Sequence, residues 1–341
     1  MHTYRGKSAA CLICVFALAV TGCSAGSGGT ADAAAPTPSR AGASTSGSAA
    51  SGTSYAPYVS ATEASANDSA GSPATYNLAF VIADGSDCAP KWNGTTALTD
   101  AAVKSRVSKL TQGGASVRVS FGGASGRELA ASCDSASELA RAYGKALDAA
   151  GSAQADFDVE GEQLTDSDSV DLRSEAIALL QKERGDLEVS FTLPVMPSGL
   201  DDDSVALLES ANEHDVQVST VNIMTMNYGE SYDGDMGDYA LVSAKATHSQ
   251  LKKIFGTSDA TAWKAMALTS MLGTNDVDNE TFTLDDAAQV RKFADEKGIG
   301  WVSMWATFRD QRCGAESEDD ELTDCSGVDQ EDGAFAEAFS G

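Results

Sequence analysis

Residues Ala155–Gly161 read ADFDVEG and carry an acidic side chain at every second position, at Asp156, Asp158 and Glu160. Two apolar residues separate these acids. In a β-strand, successive side chains point to opposite faces, and every second one shares a face. The segment therefore predicts a strand that directs three carboxyl groups to one side and two apolar side chains to the other.

Seven further short segments rich in β-branched and apolar residues predict strands as well. The eight predicted strands are residues 55–61, 76–82, 117–121, 155–159, 187–193, 220–226, 264–270 and 300–305. Stretches with helical periodicity lie between most of them, as in Val103, Val107 and Leu110. Alternating strands and helices are typical of an α/β domain with a parallel sheet. Eight such repeats favour a single-domain (β/α)8 barrel, the TIM barrel, over an open doubly wound sheet.

Two local signals refine this fold. Thr283 and Asp286 predict the start of a helix, and Gly298 predicts its end. Residues 62–75 are poor in large apolar side chains, so we expect a loop where the first crossover helix would lie. The first strands are followed by no glycine-rich nucleotide fingerprint, which also argues against a dinucleotide-binding fold.

In a barrel, the three acids would face the interior, with Glu160 nearest the C-terminal rim where the active sites of this architecture lie. Carboxyl groups this close resist simultaneous ionisation, so at least one pKa is expected to be raised. A carboxyl group that stays protonated near neutral pH can act as a general acid. The alternatives are an exposed edge strand whose acids face water, and a calcium site, since clustered carboxylates bind hard cations.

The composition bears on the choice of ligand. The chain has 341 residues and a formal net charge of −27. Such an acid excess repels phosphate backbones and anionic lipid surfaces, which disfavours nucleic acid and polybasic membrane docking. A neutral ligand fits this charge better, and we expect a monomer.

The N-terminus has the parts of an export signal. The basic segment MHTYRGK precedes an apolar run of about a dozen residues, too short to span a bilayer as a helix. Val20–Cys23 (VTGC) resembles the bacterial lipobox, so residues 1–22 predict a lipoprotein signal peptide, and Cys23 a lipidated first residue that anchors an extracellular protein to the cell membrane. Ordinary cleavage nearby is the alternative. Residues 23–53, rich in Ala, Gly, Ser, Thr and Pro, predict a disordered tether, and residues 54–341 the catalytic domain.

The cysteines suggest disulfide bonds. Four of the seven lie beyond the tether, at Cys88, Cys133, Cys313 and Cys325. An even number in an oxidising compartment indicates two disulfides. The short loop favours Cys313 with Cys325, which leaves Cys88 with Cys133. A metal site is the rival interpretation, but the exported part has only two histidines and no CxxC spacing.

Four motifs in order along residues 55–341 resemble glycoside hydrolase family 18, the chitinases and their relatives. Asp156–Glu160 (DFDVE) matches the second half of the family's DxxDxDxE signature, and Ser120–Gly123 (SFGG) matches its SxGG motif. Met224–Gly229 (MTMNYG) resembles the family's MxYD or MTMDYG, and Ser303–Trp305 (SMW) follows on the eighth strand. The resemblance implies the same (β/α)8 barrel.

The chain departs from the family pattern at three positions. Ala153 replaces the first aspartate of the signature, and Asn227 replaces the aspartate of MxYD. Relatives with MxYD have their tyrosine two residues before Tyr228, where this chain has Met226. We expect the first change to affect structure only, because that residue is furthest from the rim, while asparagine can still hydrogen-bond a hydroxyl group.

The resemblance implies substrate-assisted retaining catalysis without a cofactor or metal. Glu160 would protonate the glycosidic oxygen while the N-acetyl carbonyl of the sugar attacks its own anomeric carbon. Asp158 would orient the acetamide and stabilise the oxazolinium ion, and Asp156 would share a proton with Asp158. Glu160 would then activate water.

The resemblance also implies a set of sugar-binding residues. Trp305 would stack on the distorted sugar, with a core tryptophan as the alternative, and Tyr228 would hydrogen-bond the acetamide oxygen. Trp92 follows a loop that a disulfide would fix, so we expect its ring in the cleft, whereas Trp263 is expected to pack. The expected substrate contacts are Trp305, Tyr228, Asn227, Met224, Gly122, Gly123 and Trp92.

The implied function is a chitinase that cleaves β-1,4 bonds in chitin, chito-oligosaccharides or another N-acetylglucosamine-containing glycan. An endo-β-N-acetylglucosaminidase acting on N-glycans is the near alternative, because it uses the same acids and the same acetamide. A non-catalytic chitin- or glycan-binding barrel is the alternative from another class. The presence of Glu160 favours an enzyme, since inactive relatives typically lose this glutamate.

Overall fold

Strands and helices alternate along the chain as the sequence predicts. The computed structural model describes residues 52–314 and 324–341. The strands are β1 (Ser54–Tyr55), β2 (Tyr58–Ser60), β3 (Thr75–Asp84), β4 (Asp87–Trp92), β5 (Thr96–Ala97), β6 (Ser116–Gly122), β7 (Gln154–Asp158), β8 (Glu188–Pro194), β9 (Val218–Met224), β10 (Met266–Met271), β11 (Gly273–Thr274), β12 (Thr281–Phe282) and β13 (Trp301–Trp305). The α-helices are α1 (Ala101–Thr111), α2 (Ala136–Ala150), α3 (Glu162–Thr165), α4 (Ser167–Glu183), α5 (Asp202–Glu213), α6 (Met236–Phe255), α7 (Asp259–Lys264), α8 (Leu284–Lys297) and α9 (Ala334–Ser340).

The first barrel strand is divided between its two neighbours, and this closes the sheet. β3, β6, β7, β8, β9, β10 and β13 pair side by side in parallel. β1 pairs with β13 and β2 pairs with β3, so one short segment joins both edges. Each predicted strand overlaps an observed one, and the predicted (β/α)8 barrel is confirmed.

The local signals for α8 and for the first crossover are also confirmed. The Thr283 hydroxyl accepts a hydrogen bond from the Asp286 N–H, and the Asp286 carboxylate accepts one from the Thr283 N–H, which forms a capping box. Gly298 ends α8 in the left-handed conformation, with φ of 72°. Residues 61–74 form turns without a helix, so the first crossover is a loop.

The two faces of β7 have the separate roles that the alternation predicts. Phe157 points outward, and its ring lies 5.3 Å from Phe121, 5.7 Å from Phe191 and 4.9 Å from Tyr143 of α2. These rings join the barrel wall to the helix layer. Asp156, the preceding residue, points into the barrel interior, where it is fully buried.

An antiparallel hairpin of β3 and β4 changes the expected role of Trp92. Trp92 pairs with Val81 across the hairpin, and its side chain is 1% exposed. The predicted exposure of Trp92 in the cleft is therefore wrong, because β4 folds back along β3 and turns the ring into the core. The expected packing of Trp263 is confirmed, since its ring stacks on His248 with centroids 3.9 Å apart.

The N-terminal predictions fall on a part of the chain that is not described. The predicted signal peptide, Cys23 and the tether up to residue 51 lie outside the described residues. Within the described ranges, no helix combines the length and the apolar character that crossing a bilayer requires. The export signal, lipidation and tether stay predictions.

Both predicted disulfides are present. Cys88 of β4 is bonded to Cys133, which lies just before α2, and Cys313 is bonded to Cys325. The two bonds close loops of different length, with sequence separations of 45 and 12 residues. In the chain-entropy account, the longer loop restricts the unfolded chain more strongly.

We therefore expect the double variant Cys88→Ala/Cys133→Ala to lose about 4 kcal/mol of unfolding free energy, and Cys313→Ala/Cys325→Ala to lose about 3 kcal/mol. Urea unfolding followed by circular dichroism measures both values. Equal losses, or a larger loss for the shorter loop, would contradict this account.

Candidate active site

The cleft lies at the carboxyl ends of the parallel strands, where this architecture places its active sites. Its volume is about 590 Å³. Asp158, Met224 and Trp305, each the last residue of its strand, line the cleft. Glu160 and Asn227, which follow β7 and β9, line it as well. The structure therefore brings these five predicted residues together.

Asp156 lies below the cleft and is surrounded by hydroxyl groups. One of its oxygens accepts hydrogen bonds from Tyr58 at 2.9 Å and Ser120 at 2.7 Å. The other accepts from Ser190 at 2.7 Å and Thr192 at 2.8 Å. A carboxylate has about four lone-pair sites, so these four donors satisfy it fully. Asp156 is thus held as a fixed acceptor in the barrel interior.

Asp158 and Glu160 form a coupled pair at the base of the cleft. Burial, Glu160 and Asp156 all raise the pKa of Asp158 well above its usual range, with burial as the largest cause. Burial also raises the pKa of Glu160, while the hydrogen bond with Asp158 lowers it. The predicted rise in at least one pKa is confirmed in direction. Of the two acids, Asp158 is the one whose pKa is raised the more strongly, since the hydrogen bond between them raises the pKa of Asp158 and lowers that of Glu160.

The expected proton sharing between Asp156 and Asp158 does not fit this geometry. Four hydroxyl donors occupy the oxygens of Asp156, and Asp158 pairs with Glu160 instead. The calcium alternative also fits poorly, because a carboxylate saturated by hydroxyl donors has no lone pair left for a cation. Among the described residues, no group of three or more His, Cys, Asp or Glu side chains is arranged to hold a metal ion.

Gly122 and Gly123 pack against residues of the site but do not line the cleft themselves. Gly122 has a φ of 95°, and a Cβ there would lie 2.1 Å from the carbonyl oxygen of Asp158. Gly123 has a φ of 91°, and a Cβ there would lie 2.8 Å from the ring of Phe80. The Gly123 N–H donates to the Asp158 carbonyl at 2.9 Å. Both glycines thus permit close approach and position residues that line the cleft, which corrects their expected role as direct substrate contacts.

One side of the cleft is an aromatic wall formed by Tyr58, Phe80 and Trp305. Trp305 is half-buried, and its ring is stacked on Phe80 with centroids 5.5 Å apart and 21° between the planes. Tyr58 packs against Trp305 at 5.8 Å. Trp305 is therefore a cleft residue and not an enclosed core tryptophan. Sequence reasoning missed Phe80 and Tyr58, because both lie in apolar strand segments that read as core.

The opposite side is a polar lip formed by Asn227 and Asp276. The Asp276 N–H donates to the Asn227 side-chain oxygen at 3.1 Å, and the Asn227 amide donates to the Asp276 carboxylate at 3.3 Å. Both residues line the cleft. Asp276 was not predicted, since it lies in a loop after β10 with no motif of its own. The signal that could have found it is Asn227, whose side-chain amide requires a hydrogen-bonding partner.

Tyr228 does not lie in the cleft, so its expected contact with the acetamide is not supported by the structure. Its side chain is 4% exposed and packs against Tyr232 and Tyr239 at 6.0 and 5.7 Å. Met226, two residues earlier, lines the cleft instead. The backbone therefore directs Met226 into the cleft and turns Tyr228 away from it.

A closed (β/α)8 barrel with Asp156 and Asp158 on β7, Glu160 just after it and an aromatic wall at its mouth is an arrangement that suits a glycosidase. Comparison with solved structures agrees: the catalytic domain of a hyperthermophilic chitinase from Pyrococcus furiosus superposes with a TM-score of 0.73 and is 30% identical, over 84% of this chain and 93% of that one. The chain belongs to glycoside hydrolase family 18, as its motifs indicated.

Two curated relatives show the same kinship. The chain is 34% identical over 275 residues to a probable bifunctional chitinase/lysozyme of Escherichia coli (strain K12), and 32% identical over 274 residues to endochitinase 11 of Metarhizium anisopliae. Each alignment covers 75% of this chain, but only 31% and 52% of those relatives, so the chain spans about half of their length or less. No protein-family model matches the chain.

The raised pKa of Asp158 predicts how stability depends on pH. Because the folded pKa lies above the unfolded value, the stability that the protonated group contributes is lost as pH rises through the raised pKa. Asp158→Asn cannot ionise, so we expect its melting temperature to exceed that of the wild type at about pH 8, with the difference shrinking toward about pH 4. Thermal unfolding across this range measures the difference.

Asp156→Asn is the matched control for this prediction. Its amide group would face hydroxyl donors that need an acceptor, so this variant should be less stable than the wild type. An Asp158→Asn variant that is less stable at high pH would contradict the assignment of a buried, weakly solvated carboxyl group.

Proposed function

We propose that the protein is a chitinase-type glycosidase that cleaves β-1,4 bonds next to N-acetylglucosamine by substrate-assisted retaining catalysis. The observation that carries this proposal is the coupled pair of Asp158 and Glu160 at the base of a cleft that Trp305 also lines. In this pair, Glu160 can transfer a proton to the glycosidic oxygen while Asp158 contacts the acetamide group of the sugar. Family membership supports the same chemistry.

The proposed reaction starts from one proton shared by this pair. When a substrate acetamide N–H donates to Asp158, it favours the carboxylate form of Asp158, and the proton moves to Glu160. Glu160 then protonates the glycosidic oxygen as the acetamide oxygen attacks the anomeric carbon, so the bond between that carbon and the glycosidic oxygen breaks and the leaving sugar departs as an alcohol. Asp158 stabilises the positive charge of the oxazolinium ion. Water then attacks the anomeric carbon while Glu160, now a carboxylate, takes a proton from it, and the bond to the acetamide oxygen breaks to restore the N-acetyl group.

Asp156 fixes the frame for these steps and does not take part in proton transfer. Its four hydroxyl donors come from strands on both sides of β7, and they hold the acid-bearing strand in place. Its charge lies beneath Asp158 and disfavours a second ionised group there. Asp156 thus supports a state in which the pair above it carries one proton.

The substrate class follows from the cleft and from the relatives. The aromatic wall offers apolar ring faces to a pyranose, and the polar lip offers hydrogen bonds to hydroxyl groups. Of the residues that the structure describes, those that line the cleft include acids but no Lys, Arg or His, which suits a neutral glycan. The relatives' names include chitinase and endochitinase, so chitin or its oligosaccharides is the first choice.

We also propose that the protein is exported, anchored through lipid on Cys23 and monomeric. Two disulfides in the described residues suit an oxidising compartment. The lipobox-like Val20–Cys23 and the tether that follows support the anchor. The tether would let the barrel reach extracellular glycans from the membrane surface.

The first test is hydrolysis of chitotetraose by wild type and by Glu160→Gln. We expect kcat to fall about 10³-fold in the variant, because glutamine cannot transfer the proton. Glu162→Gln, which changes an exposed residue two positions later, should keep activity within about twofold and is the matched control.

A high-mannose glycopeptide assayed in parallel separates the alternatives. Cleavage of the glycopeptide alone would favour an endo-β-N-acetylglucosaminidase. If the wild type cuts neither substrate but binds chitotetraose, the non-catalytic binding protein becomes the better description.

Substrate assistance has a separate test. A fully deacetylated glucosamine tetramer lacks the acetamide oxygen that attacks the anomeric carbon, so we expect no detectable cleavage even at concentrations at which the tetramer competes with chitotetraose. Product analysis by mass spectrometry measures this. Cleavage of the deacetylated tetramer at a rate similar to that of chitotetraose would rule out the acetamide as nucleophile.

A further inference from the structure

Glu280 is a buried carboxyl group that the proposed reaction does not use. It is fully buried, at 0% exposure, in the loop between β11 and β12. One of its oxygens accepts a hydrogen bond from the Gly229 N–H at 2.8 Å. A buried charge is costly unless hydrogen bonds compensate for it, so its position calls for a structural reason.

The backbone around Gly229 is shaped to receive this carboxylate. Asn227 and Gly229 both have positive φ, 52° and 113°. Burial raises the pKa of Glu280, and the nearby backbone N–H groups of Gly229, Tyr228 and Asn227 oppose that rise. Of these three, the Gly229 N–H donates the hydrogen bond, and the second carboxylate oxygen of Glu280 is buried without a hydrogen-bond partner among the described residues.

The same contact connects two loops that meet at the cleft. Glu280 belongs to the loop after β10, and Asn227 to the loop after β9. The Asn279 amide donates to the Glu230 carbonyl at 3.0 Å, and the Asn275 N–H donates to the Glu280 carbonyl at 3.0 Å. Glu280 thus lies beneath the polar lip and holds both of its loops.

We propose that Glu280 is a positioning residue that orients the polar lip, Asn227 and Asp276, for substrate binding. Asn227 adopts an uncommon left-handed conformation, and it keeps this conformation only if surrounding contacts hold it. Without the Glu280 carboxylate, the Gly229 N–H loses its acceptor, and the turn can relax. Asn227 would then lose its pairing with Asp276, and both side chains would leave the orientation in which they face the cleft.

This inference rests on the proposed function, because its main readout is the KM for chitotetraose. For Glu280→Ala we expect KM to rise about tenfold while kcat changes less than about twofold, since the lip contacts substrate away from the reacting bond. Glu280→Gln should keep KM within about threefold, because its amide oxygen can still accept from Gly229.

Asp310 provides the matched control. It is also fully buried and accepts two backbone N–H groups, from Phe335 at 3.0 Å and Ala336 at 2.8 Å, but it does not line the cleft. Asp310→Ala should lower the melting temperature without changing KM. Glu280→Ala should change both. A Glu280→Ala variant that resembles Asp310→Ala would show that Glu280 is only structural.

A double-variant cycle tests whether Glu280 acts through Asn227. If it does, adding Glu280→Ala to Asn227→Ala should raise KM by less than about twofold, whereas independent contributions would multiply. Multiplicative effects would overturn the proposal. If Glu280→Ala does not fold, Glu280→Asp retains the charge but withdraws it from the Gly229 N–H, and a KM equal to that of the wild type would equally overturn it.

Calorimetry separates a failure of this inference from a failure of the proposed function. Binding of chitotetraose to Glu160→Gln gives a Kd without turnover, and adding Glu280→Ala should weaken it about tenfold. Absence of hydrolysis in the wild type would reject the enzyme but leave this Kd comparison valid. Hydrolysis with an unchanged Kd in the Glu280→Ala background would reject only the role of Glu280.

Discussion

A carboxylate at the centre of a barrel is the constraint on which this site depends. Asp156 has no access to water, so the protein has to supply the hydrogen bonds that stabilise its charge. The donors come from β2, β6 and β8, and those of β6 and β8 reach Asp156 only if these strands keep their register with β7. A slip of one residue in either strand would turn its donors to the outer face. The buried Asp156 therefore requires the strand register of the closed barrel, and its hydrogen bonds in turn stabilise that register.

The height of each acid along β7 determines its chemistry. Asp156 is saturated by hydrogen-bond donors. Asp158, one layer higher, is also removed from water, but one of its oxygens is buried without a hydrogen-bond partner among the described residues. Glu160 reaches the rim, where substrate can approach. Three carboxyl groups of similar intrinsic acidity thus acquire different roles from their surroundings. The raised pKa of Asp158 costs stability as pH rises, which is a common consequence of building a functional site.

The parts of this structure that could be predicted from sequence are those with local physical causes. Each of these features depends on a short segment of sequence: the alternation along each strand, the capping box of α8, and the loop lengths between cysteines. The burial of Trp92 depends on a hairpin whose second strand, DCAPKW, has no alternating pattern, and the burial of Tyr228 depends on rings from α6 and the loop before it. Phe80 reads as core because only the folded chain places it beside Trp305.

The composition of the cleft bears on the role that we propose for the polar lip. Met226 lines the cleft and offers no hydroxyl donor. Four methionines line the cleft, and their flexible thioethers fill space without fixing the orientation of a polar ligand. The orientation of a sugar must then come from the rigid features on either side, the aromatic wall and the polar lip. The lip joins two loops: Glu280 comes from the loop of Asp276 and accepts a hydrogen bond from Gly229 in the loop of Asn227. Holding these two loops together gives Glu280 a reason to be where burial is unfavourable.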